Sequence, residues 1–91
     1  MNKHNRKDLQ KAIEEIEKAR DIIAQAKETI EQLKDEEQEK FDNLSEGLQQ
    51  SDMGSRMEDA ISNLDDAFGT LEAIESDCDS AIDNIQSAID C

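Results

Sequence analysis

Between Met57 and Ile89 every seventh residue is apolar: Met57, Leu64, Leu71, Cys78 and Ile85. Three residues after each stands Ala60, Ala67, Ile74, Ala81 or Ala88, and the adjoining positions add Ile61, Phe68, Ile82 and Ile89. A seam held for nearly five heptads, with a second apolar column beside it, constrains this stretch to a helix that packs along its length. The opposite side carries Glu58, Asp65, Glu72 and Asp79, again seven apart and flanked by Asp59 and Asp66. One face is built for close packing and the other is almost purely anionic.

A matching pattern precedes it. Leu9, Ala12, Ile16, Ala19, Ile23, Ala26, Ile30 and Leu33 alternate spacings of three and four without a break, and Ile13 and Ile22 widen the face. Large residues fill one column and alanine most of the other, so two such helices can approach closely. In an antiparallel pairing the large column of each would lie over the small column of its neighbour. The expected fold is all-α: a single domain over residues 1–91, an antiparallel two-helix coiled-coil hairpin with an alanine-rich seam. Helix one is expected over about residues 8–43 after a frayed tail, the turn over about 44–54, and helix two over about 55–90.

The second helix is rich in Asp, Ser and Asn, weak helix formers that leave its stability to packing. Its apolar face is also wider than one neighbour can cover. Dimerisation into a four-helix bundle is therefore expected, through Ile61, Phe68, Ile82 and Ile89 with help from Ile13 and Ile22.

The break signals gather between Asn43 and Ser55, where Gly47 and Gly54 stand among cap-type side chains. Ser45 can cap one short helical turn, and Ser51 or Ser55 can open the second long helix. Ser55 has Glu58 three residues on, the pattern of a capping box. Leu44, Leu48 and Met53 are expected to fold back and plug the hairpin end beside Phe41.

Charge is divided unevenly within a net −14: residues 1–40 hold nine Lys/Arg and eleven Asp/Glu, residues 41–91 only Arg56 against thirteen acids. Long-range repulsion disfavours direct nucleic-acid binding or an anionic membrane surface through the second half, and favours a partner with a basic surface. Net charge also serves solubility, which is the plainer explanation of the same acids.

No apolar run follows the basic residues Lys3, Arg6 and Lys7, so no signal peptide is expected, and no stretch approaches transmembrane length. Cys78 and Cys91 lie 13 residues apart, roughly 20 Å along a helix, and cannot bridge each other within one chain. Cys78 reads as a seam residue and Cys91 as a free thiol, which fits a reducing, cytoplasmic setting.

Catalysis has little to work with. The one histidine, His4, lies in the tail, and there is neither a phosphate-cradling glycine loop nor a nucleophile elbow. Asp77, Cys78, Asp79 and Asp83 lack the glycine and closing glutamate of a calcium loop. No catalytic, cofactor-binding or metal-binding residue is expected, and the chain reads as a non-enzyme.

The segment Phe41-Asp42-Asn43-Leu44-Ser45-Glu46-Gly47-Leu48-Gln49-Gln50-Ser51, continuing to Gly54, Met57-Glu58, Ala60-Ile61 and Asn63-Leu64, resembles a pattern in small acidic proteins encoded by bacteriophages and prophages. The similarity covers roughly residues 10–75, with Ser45 standing where the pattern has proline. It implies context, an accessory phage protein in the bacterial host cytoplasm, and carries no residue roles.

Rows of carboxylates on a rigid helix can imitate a phosphate backbone. The expected function is thus a non-enzymatic phage-type binding protein. It would inhibit a host defence or nucleic-acid-processing protein through Glu58, Asp59, Asp65, Asp66, Glu72 and Asp79, as a DNA mimic. The alternative is a structural or assembly coiled-coil module of a phage particle, in which the apolar face matters and the acids do not. A small-ligand sponge in an oligomer interface is weaker, because a nucleotide would need more cations than helix one and Arg56 offer.

Overall fold

Asn2 sets the start of the first helix. Its side-chain oxygen accepts from the Asn5 amide at 2.8 Å and its carbonyl from the Arg6 amide at 3.1 Å, which satisfies donors that a helix start leaves open. Helix α1 therefore runs from Lys3 to Asp42, and the tail expected to fray is part of it. The computed structural model describes residues 1–91, and continues with α2 (Glu46–Gln49) and α3 (Asp52–Asp90), with no strand.

Ser45 caps α2 as the sequence suggests: its Oγ accepts from the Leu48 amide at 3.3 Å. Gln49 then reaches back, donating Nε2 to the Phe41 carbonyl at 3.1 Å, one of the acceptors that the end of α1 exposes. Helix α3 opens at Ser51 and not at Ser55, which lies inside it. Ser51 Oγ accepts from the Gly54 amide at 3.3 Å, and its carbonyl accepts from the Ser55 amide at 2.9 Å. Gly54 is buried there because α2 abuts it. A Cβ at this position would overlap the Gln49 carbonyl oxygen and come within 2.6 Å of the Leu48 oxygen.

The chain divides into two compact units, Met1–Gln25 with Leu71–Cys91, and Ala26–Thr70. In the first, α1 and α3 run antiparallel: Arg6 Nη2 donates to the Cys91 carbonyl at 3.2 Å, and Arg20 meets Asp79. Ile13 is 3% exposed, the one buried hydrophobic side chain of the protein. Leu9, Ile16, Cys78, Ile82, Ile85 and Ile89 are half-buried around this seam. In the second unit α1, α2 and the start of α3 form a hairpin, again antiparallel, with Lys34 bonded to Asp65. Ile30, Phe41, Ile61, Leu64 and Phe68 are half-buried.

The seam of α1 differs from the expected one. Leu9, Ile16, Ile23 and Ile30 turn inward as expected, but Ala19, Ala26 and Leu33 are exposed, Leu33 to 49%. The inward column beside the large residues is Ile13, Arg20, Lys27, Lys34 and Phe41, each buried or half-buried. The reason is geometric and electrostatic. A column of residues seven apart can be completed by the positions three or four residues on, and the second choice sets cations beside the acids of α3. Their aliphatic stems cover apolar surface while the charged ends reach the seam's edge. On α3, Ala60 is likewise exposed, while Ala67, Ala81 and Ala88 are half-buried.

At the turn, Leu44 is half-buried beside the chain end of α1, but Leu48 and Met53 each stay 47% exposed. They do not form the plug that the sequence suggests: Leu48 stands on α2 and Met53 in the first turn of α3, both open to solvent.

Candidate functional site

The acidic column of α3 is where chemistry gathers, and its position follows from the register. In both units the numbers of the ion-paired residues add to 99, as in Arg20 with Asp79 and Lys34 with Asp65. Within Ala26–Thr70 the register sets Glu58 and Asp65 against Phe41 and Lys34, and within the other unit it sets Asp79 against Arg20. Glu58, Asp65 and Asp79 thus border the helix–helix seam of their own units instead of standing wholly on an outer face.

Arg20 donates Nη2 to Asp79 Oδ2 at 3.2 Å, and its Nε stands 2.7 Å from Oδ1 as an ion-pair contact. That hydrogen bond chiefly, then the Asp79 charge with help from Glu75 and Asp21, raises the guanidinium pKa further above its ordinary value. Lys34 Nζ lies 3.0 Å from Asp65 Oδ1, and this bond likewise raises its pKa. Partial loss of hydration opposes the rise, and the charges of Asp65, Asp35 and Glu31 add to it. Both pairs stay open to water, so each adds little to stability.

Phe68 completes the arrangement. The ammonium of Lys27 stands 5.3 Å from its ring centroid and that of Lys34 5.8 Å, both within reach of the ring's negative face. One lysine, Lys34, therefore serves a carboxylate and an aromatic ring together. The second phenylalanine, Phe41, has no such cation, and lines an open groove of about 580 Å³ with Ile61, Asp35, Glu58, Ser62 and Lys34.

The six acids singled out from sequence divide by this geometry. Asp65 and Asp79 are held by Lys34 and Arg20, though their side chains remain exposed. Glu58, Asp59, Asp66 and Glu72 are exposed. Of the residues expected to join a second chain, Ile13 is so buried that it has no surface left to offer, and Ile22 is 65% exposed. Ile61, Phe68, Ile82 and Ile89 are half-buried within their own units, with Phe68 covered by two lysines. Sequence reasoning missed the basic column. Its signal was present in the spacing Arg6, Arg20, Lys27, Lys34, read against the acids that repeat at the same interval.

Elsewhere His4 bridges its neighbour Asp8 at 3.4 Å on the surface. Cys78 is a half-buried free thiol and Cys91 an exposed one. No three His, Cys, Asp or Glu side chains are grouped to hold a metal ion, and no helix is long and apolar enough to cross a membrane. Comparison with known proteins finds no matching family, no similar curated protein and no similar solved structure.

Proposed function

We propose that this protein acts by binding, without catalysis, and presents the acidic face of α3 to a basic surface on a bacterial host protein. The observation that carries the reading is the set Glu58, Asp59, Asp66 and Glu72. These carboxylates are exposed, and no ion pair within the chain neutralises them. Asp59 and Asp66 lie one heptad apart, roughly 10 Å along the helix, a spacing that suits a groove lined with Arg and Lys. A host defence or nucleic-acid-processing factor, whose groove normally holds phosphate, has that chemistry. The phage resemblance of residues 41–64 supplies the setting, the host cytoplasm.

The decisive variant reverses Asp59, Asp66 and Glu72 to lysine and leaves the Arg20–Asp79 and Lys34–Asp65 pairs intact. Capture from bacterial lysate, read by mass spectrometry, should lose its specific partners while helicity is kept. Unchanged capture by the reversed protein would remove the acidic face from the function.

A second reading, assembly of a four-helix bundle by dimerisation as a module of a phage particle, draws on a different observation. With Ile13 alone buried and Ile22 and Leu33 exposed, one chain hides little apolar surface. Sedimentation at low micromolar concentration tests it: a stable monomer argues against the bundle.

A further inference from the structure

The geometry points to the groove beside Phe41 as a docking site for an arginine side chain of the protein partner, seated on the Phe41 ring and held by Glu58. Resting on the acidic-face reading above, it names the residue at which that face is read.

The protein itself contains the filled form of such a site. At one step of the register Asp65 faces Lys34, whose ammonium also lies over Phe68. One heptad along α1, the same register sets Glu58 opposite Phe41, an aromatic ring where a cation would otherwise stand. Carboxylate and ring are present and the cation is not, since no ammonium or guanidinium of the chain covers Phe41 or pairs with Glu58. The groove is open and of about 580 Å³, within the range of small-ligand sites (about 300–1,000 Å³), which gives an arginine and its flanking backbone room.

Its charge selects the same occupant. Asp35, Glu58 and Asp65 line it against one cation, Lys34, which is already bonded to Asp65. Ile61 adds apolar surface for the side-chain stem, and Ser62 Oγ is a further acceptor. Arginine fits better than lysine, because its planar guanidinium can lie flat on the ring while its edge donates two hydrogen bonds to one carboxylate.

The test is a backbone-amide NMR titration of the full chain with a blocked Gly-Ser-Arg-Ser-Gly peptide, beside its citrulline and lysine counterparts and spermidine. Shifts should concentrate at Lys34, Phe41, Glu58 and Ser62 with the arginine peptide and vanish with citrulline. Glu58→Gln should weaken binding roughly tenfold, as expected for loss of a charge-assisted hydrogen bond, and Asp66→Asn should leave it unchanged. Phe41→Leu should cost about threefold through the lost ring face, with its unfolding midpoint measured in parallel. The site is overturned if Glu58→Gln binds as the parent does, if spermidine or the lysine peptide binds as tightly, or if shifts spread evenly over the acids. Loss with Asp66→Asn equal to that with Glu58→Gln would refute the groove and spare the acidic-face reading. Unchanged lysate capture by the triple-lysine protein would refute that wider reading instead.

Discussion

Two glycines of α3 should respond oppositely to one added methyl group. Gly69 lies mid-helix, and a methyl group there would meet nothing within 4 Å, so Gly69→Ala gains helix propensity alone. That gain is about 0.5–1 kcal/mol, from backbone freedom that alanine lacks in the unfolded chain. At Gly54 the same methyl would overlap the Gln49 carbonyl and sit 2.6 Å from the Leu48 oxygen. Both obstacles are backbone, so α2 must move away, by about 1.5 Å if ordinary van der Waals contact is to be restored. That movement pulls on the Ser51 amide bond to Leu48 at 3.1 Å and the Gly54 amide bond to Ser51 Oγ at 3.3 Å. Overpacking of this kind costs about 1–3 kcal/mol. After the propensity gain, Gly54→Ala should be destabilised by roughly 1–2 kcal/mol. For a chain of this size, each kcal/mol moves the melting point by about 4–8 °C. Melts followed by circular dichroism at one fixed protein concentration should therefore rise for Gly69→Ala and fall for Gly54→Ala. A Gly54→Ala protein that melts at or above the parent would show that α2 does not press on α3.

Other consequences are as open to measurement. Ile13→Ala should cost about 2–4 kcal/mol in urea unfolding as the cavity term adds to lost burial, while Ile22→Ala, largely exposed, should stay within about 0.5 kcal/mol; equal losses would place Ile22 in a buried interface. The raised pKa of Lys34 means that its contribution is complete below the unfolded lysine pKa and is lost as pH climbs through the folded one. Melting points followed into the alkaline range should show the parent's margin over Lys34→Met shrinking there, and a constant margin would contradict the ion pair. Ser45→Ala should cost about 1 kcal/mol as α2 loses its cap. Ser45→Pro should land within about 1 kcal/mol of the parent, because Ser45 already holds φ −62°, the angle proline imposes.

How much of this was legible in the sequence depends on whether the deciding contact is local. The large column of α1, from Leu9 to Ile30, could be read directly, since an apolar residue every seventh position leaves one inward face. Its companion column could not. Counting apolar residues favours Ala19 and Ala26 over Arg20 and Lys27, and only the acids of α3, distant in the chain, reverse the choice. Ser45 was recognisable as a cap from its own neighbourhood, whereas the capping-box spacing pointed to Ser55, and only the close approach of α2 to Gly54 moves the start of α3 to Ser51. The acids of α3 were visible as a column. That Asp65 and Asp79 are held by α1, while Glu58 faces a phenylalanine, depends on the register, which no single helix encodes.

The acid ladder cannot count its own steps. If α3 slid by one heptad, Arg20 would find Glu72, Lys27 would find Asp65 and Lys34 would find Glu58, with every cation still opposite a carboxylate. The ion pairs tell the helices to align and leave the stopping point undecided. That choice falls to the hinge, where Ser45, Ser51 and the bare backbone of Gly54 admit one closure. Alterations there should shift the alignment in whole heptads, so the smallest element of the protein acts as its ruler.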